Sequence, residues 1–243
     1  MSLISKTTIR RVFRRRGYDI VSYSPAFHTL ARRRRFLDAV GVDLVLDVGA
    51  NVGQYASQLR EIGYAGKIVS FEPVTKAYKQ LRKACEGDPQ WIARNSALGD
   101  VSRKQEIKVS QNLESSSLLP MLSTHLEAVP ESAVVAVEQI VVERLDEIID
   151  EVAGAARRIF LKMDTQGYER MVVEGALGCL DRIVALQAEV SLVPLYEGET
   201  ALCDFTGHLS KLGYSLAAIE PGYADARTGR MYQVDCVFFR PEK

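Results

Sequence analysis

Three carboxylate residues at or near the ends of short apolar runs could together recognise a nucleoside-type ligand. Asp47 lies in LVLDVGANVGQY, Glu72 ends KIVSFEP, and Asp164 ends IFLKMD. Glu72 follows Asp47 by 25 residues, and an acidic residue at the end of the second strand can accept hydrogen bonds from both hydroxyls of a ribose. This spacing suits any nucleoside cofactor, NAD included.

The turn after Asp47 indicates which part of such a ligand would lie there. Gly49 and Gly53 allow close approach to the backbone, and the helix that follows offers free N–H groups. Asn51 replaces the middle glycine of a G-x-G-x-x-G fingerprint, so a pyrophosphate is disfavoured. A ligand with a compact ammonium and carboxylate group fits better. Its ammonium would face Asp47, and its carboxylate would face the N–H groups. Tight packing of helix on strand would explain both glycines without a ligand.

Acidic residues at two strand ends could also hold a cation. Asp164 and Glu189, the latter in ALQAEVSL, offer oxygen ligands that suit Mg²⁺ better than Zn²⁺. Such an ion would acidify a bound hydroxyl. Alternatively, Asp164 caps a helix at residues 165–169 and Glu189 pairs with a lysine or arginine.

His125 is the preferred candidate for a general base, because a neutral imidazole has a suitable pKa. It lies in QNLESSSLLPMLSTHLEAVPES, a long segment that could fold over a substrate, although a loop histidine can equally be a surface residue. Gln166 is expected near the substrate or metal. Tyr196 and Tyr223, in loops at strand ends, could line a polar acceptor pocket.

Alternating strands and helices must position these side chains. Strands are predicted at residues 44–48, 67–72, 91–95, 158–162, 184–190, 214–219 and 234–239. Helices are predicted at residues 54–62, 76–86, 168–179 and 203–212. This alternation predicts βαβ units and a mostly parallel sheet, and the closely spaced last two strands suggest a hairpin with one antiparallel strand.

Composition limits the class of protein. A chain of 243 residues that is 47% hydrophobic suits one α/β domain with a sizeable core, or a domain with a small appendage. The absence of a run of about 20 apolar residues argues against a membrane span, and no secretory signal is recognised. Four scattered cysteines without a C-x-x-C pair favour reduced thiols in a cytoplasmic protein.

Charge is unevenly distributed although the net charge is zero. Residues 1–41 hold ten Lys or Arg and two Asp, a charge of +8, and the rest of the chain carries −8. We therefore divide the chain into a basic helical segment, residues 1–41, and a domain, residues 42–243, with a long insertion at about 101–157. The basic segment could contact a membrane surface, nucleic acid or an anionic glycan, or its arginines could pair with the acidic body.

Several motifs resemble the FkbM family of S-adenosylmethionine-dependent methyltransferases, from about residue 43 to 239. They are LVLDVGANVGQYA, IVSFEP, NSALGD, QIVVERLDEII and, most distinctively, LKMDTQGYERMVVEGA. The resemblance implies the class I methyltransferase fold, a doubly wound, Rossmann-like α/β sheet of seven strands with the last one antiparallel. It also implies cofactor roles: Asp47, Gly49, Asn51 and Gly53 for the methionine part, Glu72 for the ribose, Asn95, Ser96 and Ala97 for the adenine, and Asp164 near the reactive centre.

The resemblance favours O-methylation of a saccharide, glycolipid or related secondary metabolite, and the acidic residues at positions 164 and 189 would let Mg²⁺ assist. The alternatives are an oxidoreductase with another nucleotide cofactor and a non-catalytic cofactor-binding module. A nucleic-acid partner is not expected, since no basic stripe with interleaved aromatic residues crosses the core. The chain could form a homodimer.

Overall fold

A seven-stranded sheet forms the centre of the structure, a computed structural model that describes residues 6–241. The strands of the chain are β1 (Leu44–Val48), β2 (Lys67–Phe71), β3 (Trp91–Arg94), β4 (Ala97–Leu98), β5 (Arg103–Ser110), β6 (Val134–Glu143), β7 (Ile159–Met163), β8 (Ile183–Ser191), β9 (Ser215–Pro221) and β10 (Gln233–Phe239). The helices are α1 (Lys6–Arg14), α2 (Thr29–Val40), α3 (Gln54–Glu61), α4 (Thr75–Ala84), α5 (Ser123–Ala128), α6 (Leu145–Ala153), α7 (Glu169–Glu174) and α8 (Leu202–Lys211).

The strand order of the central sheet is β3-β2-β1-β7-β8-β10-β9. β1 pairs in parallel with both β2 and β7, whereas β10, the last strand of the chain, runs antiparallel to β8 and β9. The predicted fold class, including its antiparallel last strand and terminal hairpin, is confirmed. The chain order reverses between β1 and β7, so a crevice is expected at the carboxyl ends of these two strands.

Helices cover both faces of this sheet, which explains why its inner strands are apolar on both sides. Val45 of β1 packs with residues of α2, α3 and α4 on one face. Its neighbours Leu44 and Leu46 pack on the other face with residues of α6, α7 and α8. This alternation follows the two-residue period of a strand and leaves the strand ends as the place for polar side chains.

The predicted insertion folds into regular structure. β5 and β6 pair in an antiparallel manner and form a small sheet with β4, and α6 begins at Leu145. The serine-rich segment between β5 and β6 returns to the edge of the large sheet, where the Ser117 hydroxyl donates to the carbonyl of Gln166 at 2.7 Å. This segment therefore covers the carboxyl ends of the central strands.

The basic segment contains two helices of different character. α2 buries Leu37 and Arg33 against the domain, whereas every residue of α1 is exposed. Residues 1–5 of the predicted segment lie outside the described residues, and the division at residue 41 stays a prediction. Within residues 6–241, no helix has the length and apolar character needed to cross a membrane.

Candidate active site

A cavity of about 460 Å³ lies at the carboxyl ends of the central strands. Most of the predicted site residues line it: Gly49, Asn51, Glu72, Ala97, His125, Asp164, Gln166, Glu189 and Tyr223. Asp47, Gly53, Asn95, Ser96 and Tyr196 do not appear among its lining residues. The cavity volume lies in the range of small-molecule sites.

The glycine turn between β1 and α3 is shaped by close packing. Gly49 has a φ of 72°, and a Cβ there would lie 1.8 Å from the carbonyl oxygen of Asp164. Gly53 has a φ of 94°, and its Cβ would lie 2.9 Å from the ring of Trp91. The packing explanation therefore accounts for both glycines. Asn51, with a φ of 48°, lines the cavity, and its buried Oδ1 accepts no hydrogen bond from the described residues.

Glu72 is held beside this turn by two backbone groups. Its carboxylate oxygens accept hydrogen bonds from the N–H groups of Asn51 and Val74, each at 2.8 Å. Burial raises the pKa of Glu72 to about 7, although both hydrogen bonds act in the opposite direction. Each carboxylate oxygen keeps a further lone pair, so Glu72 can still accept from ligand hydroxyls.

Asp47 has partners within the protein. Its fully buried carboxylate lies 3.1 Å from the Lys162 ammonium and accepts from the Ser70 hydroxyl at 3.1 Å. Burial acts to lower the pKa of Lys162, but Asp47 and Asp164 outweigh it and raise the pKa above its ordinary value. Contact of Asp47 with a ligand ammonium stays a prediction. Lys162 lines the cavity and also donates to the carbonyl of Gly49 at 3.2 Å.

Gln166 connects the two residues predicted to hold a metal. Its side-chain nitrogen donates to Asp164 and to Glu189, each at 2.8 Å, and its oxygen accepts from the Tyr196 hydroxyl at 2.8 Å. Tyr196 therefore lies behind Gln166 and orients it. Glu189 also accepts from Gln233, so it pairs with amides rather than with a lysine or arginine.

The protein groups around Glu189 disfavour its charged form, which a cation beside it would instead favour. Burial, followed by the charges of Asp164 and Asp235, raises the pKa of Glu189 well above its ordinary value. Among residues 6–241, no group of three or more His, Cys, Asp or Glu side chains is arranged to hold a metal. The alternative role of Asp164 as a helix cap is wrong, because α7 begins only at Glu169. The Glu169 carboxylate instead accepts from the N–H of Thr165 at 2.7 Å.

His125 lies on α5 with 3% of its surface exposed, so it is not a surface residue. Burial lowers its pKa, which leaves the imidazole neutral at pH 7. Its Nε2 lies 3.4 Å from the Ser115 hydroxyl, and its buried Nδ1 makes no hydrogen bond with any described residue. The ring of Tyr196 packs edge-on against it at 5.1 Å between centroids.

The remaining predicted residues hold the walls of the site together. Asn95 donates to the carbonyls of Glu72 and Pro73, and the Ser96 hydroxyl donates to Glu143 at 2.5 Å. The Tyr223 hydroxyl donates to the carbonyl of Ala128 at 2.8 Å, which ties α5 to the loop between β9 and β10. Their roles toward a ligand stay predictions.

Sequence reasoning missed several polar residues of the cavity. Arg33, Lys162, Gln187, Gln233 and Asp235 all line it. Arg33 reaches it from α2, donating to Gln58 at 3.1 Å and lying 4.4 Å from the centre of the Tyr55 ring. The signal for Lys162, Gln187 and Asp235 was their polarity inside otherwise apolar strands, since a buried polar side chain needs a partner.

Comparison with known proteins identifies the family. The methyltransferase FkbM domain matches residues 47–216, and no curated protein matches the chain. Similar solved structures include magnesium protoporphyrin IX methyltransferase from Synechocystis, with bound SAM (13% identity, 99% of each chain covered, TM-score 0.47). A putative S-adenosylmethionine-dependent methyltransferase from Listeria monocytogenes has 8% identity over 88% of this chain and 98% of its own, with a TM-score of 0.47.

A further similar structure is an S-adenosylmethionine-dependent methyltransferase from Mesorhizobium loti, with 9% identity over 89% of this chain and all of its own, and a TM-score of 0.47. Identities and TM-scores this low carry no information about the substrate. The family assignment depends on the domain match, which spans more than two thirds of the sequence, including the glycine turn, Glu72 and Asp164. The chain belongs to the FkbM family of S-adenosylmethionine-dependent methyltransferases.

Proposed function

We propose that this protein transfers a methyl group from S-adenosylmethionine to a hydroxyl of a saccharide, a glycolipid or a related secondary metabolite. The observation that supports this most directly is that two separate sets of polar side chains line opposite sides of one cavity. Glu72 follows β2, whereas Glu189 and Gln233 lie on β8 and β10, three and four strands further along the sheet. Adjacent strands are about 4.8 Å apart, so the cavity has room for two ligands side by side.

The β1–β2 side of the cavity fits the methyl donor. Glu72 offers a carboxylate to the ribose hydroxyls, and the unpartnered Oδ1 of Asn51 offers a second acceptor nearby. When bound, S-adenosylmethionine supplies a methyl group already activated on a sulfonium, so the protein mainly has to align the acceptor.

The β8–β10 side fits an acceptor rich in hydroxyl groups. Gln187 and Gln233 each carry both a donor and an acceptor, and Glu189 and Asp235 lie beside them. A saccharide hydroxyl also donates and accepts, so mixed amide and carboxyl groups satisfy it better than a wall of one kind. Tyr223 adds an aromatic surface to the same side.

His125 is the proposed general base. Its neutral imidazole could hold the proton that the acceptor hydroxyl loses when the methyl group is transferred and S-adenosylhomocysteine is left, and its pKa below the ordinary value keeps it unprotonated at neutral pH. Tyr196 and Ser115 pack against the ring and limit its orientation.

We also propose that Mg²⁺ assists, held by Asp164 and Glu189. Two carboxylates converge there on the electropositive amide nitrogen of Gln166, and more than a third of the Asp164 side chain is open to solvent. Mg²⁺ commonly uses one or two carboxylates with water and substrate oxygens. A bound ion would lower the pKa of the acceptor hydroxyl.

An acceptor screen with a radiolabelled methyl donor tests the function. Monosaccharides, polysaccharides and glycolipids are incubated with the protein, with Mg²⁺ or with EDTA, and methylated products are isolated. Label in a carbohydrate ether supports the proposal. Binding of NAD in place of S-adenosylmethionine would favour an oxidoreductase, and donor binding without turnover on any acceptor would favour a binding module. We place this activity in the cytoplasm, in keeping with four unpaired cysteines.

A further inference from the structure

Helix α1 has two distinct faces, and none of its residues is buried against the described part of the domain. At 100° per residue, Ile9, Val12 and Phe13 share one side of α1, and Arg11 lies on the other. Arg15 directly follows the last residue of the helix. The three apolar side chains are 39%, 44% and 42% exposed. An amphipathic helix whose apolar face is this exposed indicates a partner that supplies an apolar environment.

The chain that follows α1 carries further exposed apolar side chains. Tyr18, Ile20, Val21 and Phe27 are exposed, with Tyr18 and Phe27 each at 70%. These residues and the apolar face of α1 together form what we call the N-terminal apolar surface. It occurs within the part of the chain that carries the large positive charge, not on the acidic body.

Much of the positive charge here is available for a partner. Arg10 and Arg14 bind Asp19 at 3.4 and 2.8 Å. Among the described residues, no ion pair involves Arg11, Arg15 or Arg16. The segment therefore presents uncompensated cations next to exposed apolar side chains.

We propose that the N-terminal apolar surface and α1 bind the surface of an anionic lipid bilayer. Nucleic acid or an anionic glycan would engage the arginines but leave Ile9 and Phe13 in water, whereas a bilayer interface accommodates both faces of the helix. With nine residues, α1 is too short to span a membrane, which takes about 20, but it is long enough to lie in the interface.

The next helix connects this surface with the catalytic cavity. α2 carries Arg33, which lines the cavity, and Arg32, which lies 3.2 Å from Glu220. Attachment through residues 6–27 therefore anchors the protein close to the element that reaches the site. The proposal goes beyond the methyltransferase function and does not depend on it.

Co-sedimentation of the 243-residue protein with vesicles tests the proposal. We expect binding to vesicles of phosphatidylglycerol and phosphatidylcholine, and much weaker binding to phosphatidylcholine alone. Because each arginine near an anionic surface contributes about fivefold, the double variant R11Q/R15Q should bind about 25-fold more weakly. The control K79Q/K83Q removes the same charge at the same spacing from an exposed face of α4 and should bind like the parent protein.

A second variant separates the lipid from other partners. Phe13→Ser should weaken vesicle binding by about tenfold, since insertion of a phenylalanine side chain contributes at least that much. Circular dichroism verifies that every variant is folded. The proposal is overturned if anionic vesicles bind no better than neutral ones, or if the control variant loses as much affinity as R11Q/R15Q. It is also overturned if Phe13→Ser leaves vesicle binding unchanged. The same holds if the parent protein is a dimer that does not bind vesicles and Phe13→Ser converts this dimer to a monomer.

Discussion

The pKa of Glu72 predicts a pH dependence for cofactor binding that one residue should control. Burial raises this pKa to about 7, and the ribose hydroxyls of the cofactor would donate to the ionised carboxylate. Protonation occupies an acceptor and removes the charge, so affinity should fall as the pH falls through 7. S-adenosylhomocysteine, which carries the same ribose without the reactive methyl group, is a suitable probe.

The size of the effect follows from the titration. With a pKa of about 7, the ionised fraction of Glu72 drops from about nine-tenths at pH 8 to about one-tenth at pH 6. If only the ionised form accepts both hydroxyls, Kd should rise about tenfold from pH 8 to pH 6. This rise corresponds to a loss of about 1.4 kcal/mol in the free energy of binding. Glu72→Gln is neutral throughout and should show a flat profile near the weaker limit.

Isothermal titration calorimetry at pH 6, 7 and 8 measures this profile. Glu72→Gln leaves one of the N–H groups of Asn51 and Val74 without an acceptor, a cost of about 1–3 kcal/mol in stability, so folding must be verified at each pH. Glu169→Gln is a matched control, because burial also raises the pKa of Glu169 to about 7. A single carboxylate oxygen of Glu169 accepts the hydrogen bonds from Thr165 and Gly167, so the amide oxygen of glutamine can replace it.

The control variant should keep the tenfold profile of the parent protein, since Glu169 does not line the cavity. Equal affinity of the parent protein at pH 6 and pH 8 would refute the reasoning. So would a tenfold profile that persists in a folded Glu72→Gln variant, because the titrating group would then be another residue.

Three further predictions concern the rest of the site. His125→Gln should lower kcat by about 10²–10⁴-fold with little change in the Kd of S-adenosylhomocysteine. Because burial lowers the His125 pKa, the kcat of the parent protein at saturating cofactor should rise with pH and reach its plateau at a lower pH than for an ordinary histidine. An unchanged kcat in the variant would exclude His125 as the base. Lys162→Met leaves the buried Asp47 carboxylate without its ion pair and should lower the free energy of unfolding, measured in urea, by about 3–5 kcal/mol. The double variant Asp47→Asn/Lys162→Met should regain most of this stability, and equal losses in both variants would argue against the ion pair. Asp164→Asn should weaken Mg²⁺ binding, measured by calorimetry with S-adenosylhomocysteine present, and unchanged affinity would place the ion elsewhere.

Sequence patterns predicted the parts of the site that depend on strand ends. Glu72 and Asp164 end apolar runs, and the carboxyl ends of parallel strands meet at one edge of a sheet, so both were expected at the cavity that they line. The same reasoning identified the turn at Gly49. These predictions required only the alternation of strands and helices, which local residue patterns encode.

Other parts of the site depend on which strands become neighbours, and no local pattern encodes that. Lys162 lies in an apolar strand, and its role becomes evident only when β7 pairs with β1 and brings it to Asp47. Gln233 is 44 residues from Glu189 in sequence but donates a hydrogen bond to it, because β10 lies between β8 and β9 in the sheet. Tyr196 was expected at the acceptor but holds Gln166 from behind.

The glycine turn illustrates why a motif and its function need separate evidence. Gly49 is required because the end of β1 passes so close to the carbonyl of Asp164 at the end of β7 that no Cβ fits. These are the two strands between which the chain order reverses, so the contact that demands glycine also builds the crevice. Gly49 is therefore explained by the packing of the fold, and any chain with this packing would need a glycine there. Evidence for the ligand comes instead from two buried polar groups that have no hydrogen-bond partner among residues 6–241, the Oδ1 of Asn51 and the Nδ1 of His125.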